Sequence, residues 1–536
     1  MNLRQFILPY WRSLTLILVL GAIATLSGLA QPYFTKLLID DALLLGNFRL
    51  LVWISIGMLG VTVLSYALNS WTGYRYMQVS AAILFTMRCA VYQHLQRLSP
   101  RFYANTRIGE IVSRLNNDVG EIQRISADTF LALTTNVLFL AGTIAIMLSM
   151  NAWLSFLTFV LMPVTIYGLT RTRRMLETET ESVRQRSSDL GSFLVETFLG
   201  MRTTVLMTRE RYEVGRFQQA NDRFVTALLR RQKAAIAAGL IPSASLSIGT
   251  VLVFVIGGYE VIQGAMSLGA FVAFMAYQGR MMAPVQNVMS LYTNLAMLKV
   301  AVKRVMELMD AKPDVEDTGT ESHTFHGDSR VDFEGVSFRH DRDGILENAS
   351  FTIPGGSFCV VLGPSGAGKS SIANLLVRLY DPDAGAVLVD GIDVRRMPLA
   401  DLRSQVALVE QDTFLFNGTI DDNVRYGGDA ESHPQFMTLP GSTVVGDRGL
   451  ALSGGEKQTI GIARALARNP KILILDEATS AMDTNLESRV LNELRRLPGR
   501  KTIILITHRS YLADIADLVL QVQDGRIMVA ACSKSL

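Results

Sequence analysis

The chain has 536 residues, 49% of them hydrophobic and 18% charged, with a formal net charge of +3 and a mean hydropathy of +0.27. That length exceeds one ordinary domain of roughly 100–200 residues, and the apolar excess before residue 310 is a membrane composition. So small a charge, without a basic block carrying interleaved aromatics, argues against a nucleic-acid partner. The scattered Cys89, Cys359 and Cys532 lack the spacing of a disulfide framework or a zinc site and read as thiols packed like small apolar residues.

Six apolar stretches follow one another at about 14–38, 52–73, 128–150, 153–170, 236–262 and 267–290. Each approaches or exceeds the roughly 20 residues a helix needs to cross a ~30 Å hydrocarbon core. The first is long and lacks a small-residue cleavage site, so it reads as a retained span and not as a signal peptide. Arginines orient the bundle. The connector 171–235 holds 13 Lys and Arg, and 88–124 contains Arg88, Arg97, Arg101, Arg107, Arg114 and Arg124, whereas the opposite connectors carry only Arg49. The basic sides face the cytoplasm, which puts both termini inside, in a bacterial inner (cell) membrane. With no proline breaking 101–162 or 164–241, the cytoplasmic connectors read as helical extensions of the spans. Within them, 102–110 and 209–216 look like turns or transverse helices, the alternative being a solvated helical surface.

The sixth span is the least uniform. Met275, Met282 and Met289 share one face, which suits packing or a promiscuous apolar cavity, and Arg280 and Asn287 lie roughly opposite. Thirteen residues after Leu268, at about 1.5 Å each, Arg280 lies deep in the membrane toward the cytoplasmic leaflet, where an unpaired charge costs several kcal/mol. Two readings stay open. Arg280, with Asn287 and Tyr277, holds an anionic or carboxylate-bearing substrate, or it snorkels to headgroups or pairs with a polar neighbour. The other spans have no Asp, Glu or Lys at mid-depth, which leaves proton or sodium coupling little to work with.

A polar segment at 311–329 reads as a linker, dividing a six-helix domain at 1–310 from a soluble α/β domain at 330–536. There Gly363, Pro364, Ser365, Gly366, Ala367, Gly368, Lys369 and Ser370 form a G-x-x-x-x-G-K-S loop between the strand-like 358–362 and the helical 371–378. Strand, loop and helix in that order make it a phosphate loop: glycines let backbone N–H groups face the phosphates, Lys369 reaches the β/γ-phosphates and Ser370 ligates Mg²⁺. The apolar 471–475 ends in Asp476 and Glu477, where one carboxylate can hold Mg²⁺ and the next polarise an attacking water. Between the two motifs, Ser453, Gly454, Gly455 and Glu456 open the helical 459–468 as a second anion-facing helix start.

These motifs, behind six spans, resemble the ATP-binding cassette superfamily, and specifically its exporter-type half-transporters. The resemblance implies a polytopic α-helical membrane domain plus an α/β P-loop ATPase, with ATP and Mg²⁺ as cofactors. Ser453 to Glu456 would be the signature loop closing over ATP held by a partner subunit, Gln411 the glutamine that senses Mg²⁺ and water, His508 the switch histidine and Asp483 part of the D-loop. Ser371 follows the phosphate loop. Residues 443–449 resemble the exporter-type loop that meets the cytoplasmic connectors, and the two transverse segments would be coupling helices. A homodimer is the simplest assembly, a heterodimer with a related chain the other. ATP-driven export of an amphipathic or hydrophobic peptide, lipid, drug or siderophore follows, with a siderophore-type importer or a nucleotide-gated membrane regulator as alternatives. Departures stand beside the matches. His340 occupies the place of the adenine-stacking tyrosine, Met482 that of a leucine, 411–453 is short and broken by Pro434 and Pro440, and 525–536 lacks the usual terminal helices.

Overall fold

A computed structural model describes residues 4–321, 325, 328–340, 343–428, 436–446, 449–523 and 525–530, the side chains at 126–128, 130, 292, 293, 340 and 343–345 excepted. The chain divides into two compact units, Met1–Leu95 with Gly109–Asp310, and Gln96–Ile108 with Ala311–Leu536.

The first unit is helical: α1 (Arg4–Ile7), α2 (Trp11–Leu37), α3 (Phe48–Leu95), then, beyond the short α4 (Pro100–Asn105), α5 (Ile108–Ser113), α6 (Val119–Met150), α7 (Ala152–Leu199), α8 (Met201–Leu206), α9 (Glu210–Ile262) and α10 (Leu268–Met309). At about 1.5 Å per residue, the 48 residues of α7 run roughly 70 Å, more than twice a hydrocarbon core. The spans do continue as helical extensions. Their ends are set locally. Asn151 leaves helical geometry and accepts the Leu154 N–H at 2.9 Å to start α7, and Ser267 caps α10 through the Ala270 N–H at 3.1 Å.

Among the described residues, five helical segments are long and apolar enough to cross a membrane, Gln5–Leu43, Phe48–Leu95, Leu131–Met150, Ala152–Leu199 and Glu210–Ile262. The 42-residue α10 packs along α6 and α2 but carries Tyr277, Gln278 and Arg280 in its first third, which dilute its apolar character. The most apolar stretch of α3 has none of its residues buried within the chain. Such a surface needs lipid or protein around it. Inside, Leu29, Met147, Leu154, Val253, Phe274, Tyr277 and Met281 belong to one buried core. Glycines bring helices together there: a Cβ on Gly257 would meet Phe271 at 3.0 Å and Leu154 at 3.2 Å. The short helix of the second connector is α8, ending before Thr208 in a left-handed turn (φ 51°). It lies upstream of the expected 209–216, which instead opens α9, because Gly200 ends α7 early.

In the second unit a four-stranded antiparallel sheet, β2-β1-β4-β5, comprises β1 (Val331–His340), β2 (Asp343–Ile353), β4 (Ala384–Val389) and β5 (Ile392–Asp393). A six-stranded sheet has the order β10-β9-β3-β8-β7-β6. Its strands are β3 (Phe358–Leu362), β6 (Val406–Val409), β7 (Ile472–Asp476), β8 (Thr502–Thr507), β9 (Leu518–Gln523) and β10 (Arg526–Ala530). All neighbours are parallel except β9 and β10. Helices α11 (Lys369–Leu376), α12 (Leu399–Gln405), α13 (Ile420–Arg425), α14 (Gly454–Ala467) and α15 (Thr484–Arg495) complete the unit.

The central strands read as continuous apolar runs because both faces are covered. Cys359, Val361, Ile472, Ile474, Ile504 and Ile506 enter one core with the antiparallel sheet, and Phe358, Val360, Leu473, Leu475, Ile503 and Leu505 enter another with α14 and α15. Period-two alternation does the sorting. Between β6 and α14 the described chain has only α13 and a small core of Leu415, Ile420, Val424, Val445, Ile460 and Ala463. Pro434, Asp447, Arg448 and 531–536 lie outside the described residues.

Candidate functional site

Register brings the chemistry to one edge. Leu362 of β3 pairs with Thr507, Asp476 of β7 with Ile506, and Val409 of β6 with Leu475. The phosphate-type loop, Glu477, His508 and Gln411 therefore all leave the C-terminal ends of parallel strands, where open α/β sheets form their crevice.

After β3 the loop uses two left-handed glycines, Gly366 (φ 80°) and Gly368 (φ 98°), the second being the N-cap of α11. Residues with a Cβ are strained in that conformation. Gly363 is required for space, since a Cβ would stand 2.4 Å from the Val522 carbonyl. Pro364, Ser365 and Gly366 are exposed, Ala367 and Gly368 half-buried, and Ser371 sits in the first turn of α11. Lys369 is buried, its Nζ donating to the carbonyls of Gly363 (2.9 Å) and Pro364 (2.8 Å). The loop closes around its own cation.

Asp476 accepts a hydrogen bond from the Ser370 side chain, and burial pushes its carboxyl above the usual aspartate value against that bond and nearby Lys369. Glu477 takes a left-handed backbone (φ 47°), with its N–H bonded to Ile506 O at 2.9 Å. His508 Nδ1 stands 3.5 Å from Glu477 Oε1. Behind the histidine, Arg509 donates to Ser480 O at 2.9 Å and pairs with the buried Glu487 at 2.9 Å. That ties the β8 loop to the turn after β7. Gln411 is exposed. The side chain of His340 is not among those described.

Ser453 and Glu456 form a capping box at the start of α14: the carboxylate accepts the Ser453 N–H and hydroxyl, both at 2.7 Å, and Ser453 Oγ accepts the Glu456 N–H at 3.3 Å. Those bonds hold the Glu456 carboxyl below its ordinary value. The helix thus begins at Gly454, five residues before the apolar period suggests. Gly454 is exposed and Gly455 buried. Asp483 caps α15 by accepting the Leu486 N–H at 2.8 Å. The sequence reading passed over Gln458. It lies on the stripe of α14 that buries Gly455, Thr459 and Ile462, and a buried amide in an apolar stripe is the signal, since such a group needs partners. Among the described residues no cluster of three or more His, Cys, Asp or Glu could hold a metal by itself.

In the membrane unit Arg280 is exposed, donating to Gln31 Oε1 at 2.8 Å and Gly28 O at 3.4 Å. Asn287 donates to Asn136 Oδ1 at 3.2 Å. Tyr277 is wholly buried, its hydroxyl donating to Leu29 O at 2.5 Å.

Long apolar helices fused to a phosphate-loop α/β domain define a membrane protein driven by nucleotide hydrolysis. The family model for the ABC transporter transmembrane region matches residues 14–285, and that for the ABC transporter matches residues 346–480. The chain is 31% identical to the ABC transporter ATP-binding protein YknV of Bacillus subtilis, over 98% of this chain and 90% of that one. It is 28% identical to an ATP-dependent lipid A-core flippase of Syntrophus aciditrophicus, covering 97% and 88%. A solved bacterial Atm1-family ABC exporter with ATP bound superposes with a TM-score of 0.78 at 26% identity, covering 97% and 95%. The chain belongs to the ABC transporters, as an exporter-type half-transporter with both regions on one polypeptide. It is an integral membrane protein that binds ATP and couples its hydrolysis to transport, and these likenesses favour export over import.

Proposed function

We propose that residues 363–371 cradle the phosphates of ATP, that Ser370, Asp476 and Gln411 hold Mg²⁺, and that Glu477 is the general base for the attacking water. The observation that carries this reading is the convergence of four strand-end loops, with Glu477 and His508 facing each other at 3.5 Å. The donors suit the metal. A serine hydroxyl already bonded to a carboxylate, with a glutamine amide, is a hard oxygen set too small to cage an ion alone, which fits a hydrated Mg²⁺ shared with phosphates. Mg²⁺ there would neutralise charge on the phosphoryl group.

Lys369 supplies fixed positive charge at the loop, and Glu477, aimed by its backbone and restrained by His508, takes the proton of the water. His340 would lie against the base. Ser453, Gly454, Gly455, Glu456 and Asp483 would complete the nucleotide site of a second subunit, because a helix start facing anions is redundant beside the phosphate loop of its own chain. That argues for a homodimer, and the arginine-rich connectors favour cytoplasmic ATPase units, in an inner (cell) membrane.

Export would act on an amphipathic or hydrophobic substrate, a lipid, peptide, drug or siderophore, with Arg280 and Asn287 meeting its polar part. Two polar pairs about 10 Å apart along α10, taking about 1.5 Å per residue, support this. Tyr277, being buried, would act by fixing α2 beside Gln31. The test is reconstitution in proteoliposomes with a labelled phospholipid and a carboxylated hydrophobic dye. Uphill, ATP-dependent movement abolished by Lys369→Ala and Glu477→Gln supports a pump. Downhill flux gated by nucleotide makes the chain a regulator or channel, and full activity in both variants removes the site assignment.

A further inference from the structure

Gln458 is 3% exposed, and its amide touches two loops that leave different strands, the one after β6 at Gln411 and the one after β7 at Glu477, Ser480 and Ala481. Nε2 lies 3.5 Å from the Gln411 carbonyl, 3.4 Å from the Glu477 carbonyl and 3.3 Å from Ser480 Oγ, while Oε1 accepts the Ala481 N–H at 3.0 Å. An amide nitrogen has two protons. Three acceptors share them, at distances near the long limit of a hydrogen bond, so a shift of either loop changes the share left to the acceptors on the other.

The same helix is packed against these loops without spacers. A Cβ on Gly461 would fall 2.7 Å from Thr413 of the Gln411 loop, and one on Gly454 would fall 3.0 Å from the Ala481 Cβ. A cavity of about 340 Å³ borders these same contacts, lined by Gln411, Thr413, Gly454, Gln458, Ser480 and Ala481 among others, and gives the loops room to shift. Helix α14 cannot move without taking them along.

We propose that Gln458 is a positioning residue that couples the two nucleotide sites of a dimer. This rests on the assignment above, in which the Ser453 end of α14 closes on the nucleotide of the partner subunit while Gln411 and Glu477 serve the nucleotide of its own. Seating of Ser453 on one nucleotide then resets, through the Gln458 amide, the backbone that aims Glu477 at the other. A satisfied buried amide with merely structural duty would stabilise the unit equally in every nucleotide state; this one joins the two halves of the cycle.

The test uses the full-length chain in lipid nanodiscs, with ATPase rate against ATP concentration from pH 6 to 8. Gln458→Met keeps the shape and removes all four bonds. Gln458→Glu keeps the acceptor for Ala481 but turns an oxygen toward three oxygens unless it is protonated, and burial beside those groups raises the pKa of such a carboxyl. Expected for Gln458→Met are a kcat at least tenfold lower, an ATP Kd changed less than threefold and a Hill coefficient falling to 1. For Gln458→Glu the rate relative to wild type rises several-fold as pH falls from 8 to 6, while the Gln458→Met ratio stays flat. A Gln458→Met variant with wild-type kcat and Hill coefficient overturns the inference, as does a Gln458→Glu defect equal at every pH. Should Gln458→Glu not fold, the Gln458→Met result alone decides. Lys369→Ala and Glu477→Gln run alongside: if they retain activity, the site assignment has failed, and if only the Gln458 variants are neutral, the coupling has failed.

Discussion

Glu477 Oε1 lies 3.5 Å from His508 Nδ1 on a backbone turned to φ 47°, a conformation that costs a non-glycine residue of order 1–3 kcal/mol. The strain is held by the Glu477 N–H bond to Ile506 O and fixes where the carboxylate points. Glu477→Gln keeps shape and hydrogen bonding but cannot take a proton. Its ATPase rate is expected to fall about 10²–10⁴-fold, with ATP binding preserved and nucleotide trapped in the closed state. Turnover equal to wild type would end its assignment as the base.

The reciprocal cap of Ser453 and Glu456 predicts a pH dependence at the start of α14. Hydrogen bonds from Ser453 lower the Glu456 pKa from its ordinary 4.5. A carboxylate with a depressed folded value stabilises above its unfolded value and loses that contribution as pH falls through the folded one. Amide exchange in 453–459, corrected for its intrinsic rate, should stay slow at pH 6 and quicken only on acidification below about 4.5. Glu456→Gln, which retains a capping box, should flatten the profile, and Glu456→Ala should exchange fast throughout. A wild-type profile in Glu456→Ala would mean the cap does not hold the helix.

The phosphate loop was legible because its requirements are local: glycines at Gly366 and Gly368 and a lysine at one offset, between a strand and a helix. The spans were legible for the same reason of composition. The linker was not. Residues 311–321 are polar enough to read as free chain, yet they lie along the nucleotide-binding unit, with Arg378 donating to Glu316 O at 3.1 Å, Glu321 N to Arg396 O at 3.0 Å and Leu399 N to Asp317 Oδ1 at 2.9 Å. The linker's own backbone makes two of those bonds, at Glu316 O and Glu321 N, and composition does not encode them. The first transverse segment likewise groups with the soluble unit, where Ser99 bonds Asp314 at 2.5 Å, a pairing 215 residues apart that no window of sequence contains. Gln458 escaped because its role depends on which loops surround it.

That docked linker is itself testable. Pro398, the N-cap of α12, offers no side-chain bond, and Asp317 supplies the missing cap from the linker. Asp317→Ala is expected to destabilise the nucleotide-binding unit by roughly 0.5–2 kcal/mol and Asp317→Asn by much less, measured by denaturant unfolding. Gly319 passes so close to Met397 that a Cβ would stand 2.2 Å from its carbonyl oxygen. Gly319→Ala should therefore lift the strap and expose 311–321 to limited proteolysis. An unchanged cleavage pattern would mean the linker is held elsewhere.

Arg280 poses the question of cargo. Its partners, Gln31 and the Gly28 carbonyl, satisfy N–H donors but not charge, and among the described residues it has no ion-pair partner. A guanidinium kept charged at membrane depth by neutral partners is expensive, and an anionic group on a substrate would complete it. Arg280→Gln keeps a donor for Gln31 and deletes the charge. With a carboxylated hydrophobic dye, the concentration needed for half-maximal ATPase stimulation should rise roughly 10–100-fold, the loss of a charge-assisted bond of about 1.5–3 kcal/mol. Arg280→Lys should recover part of it, and an uncharged dye of the same skeleton should respond alike to all three proteins. Equal losses for both dyes, together with a lower melting temperature, would make Arg280 a strut between α2 and α10 and move the search for cargo contacts to Asn136 and Asn287.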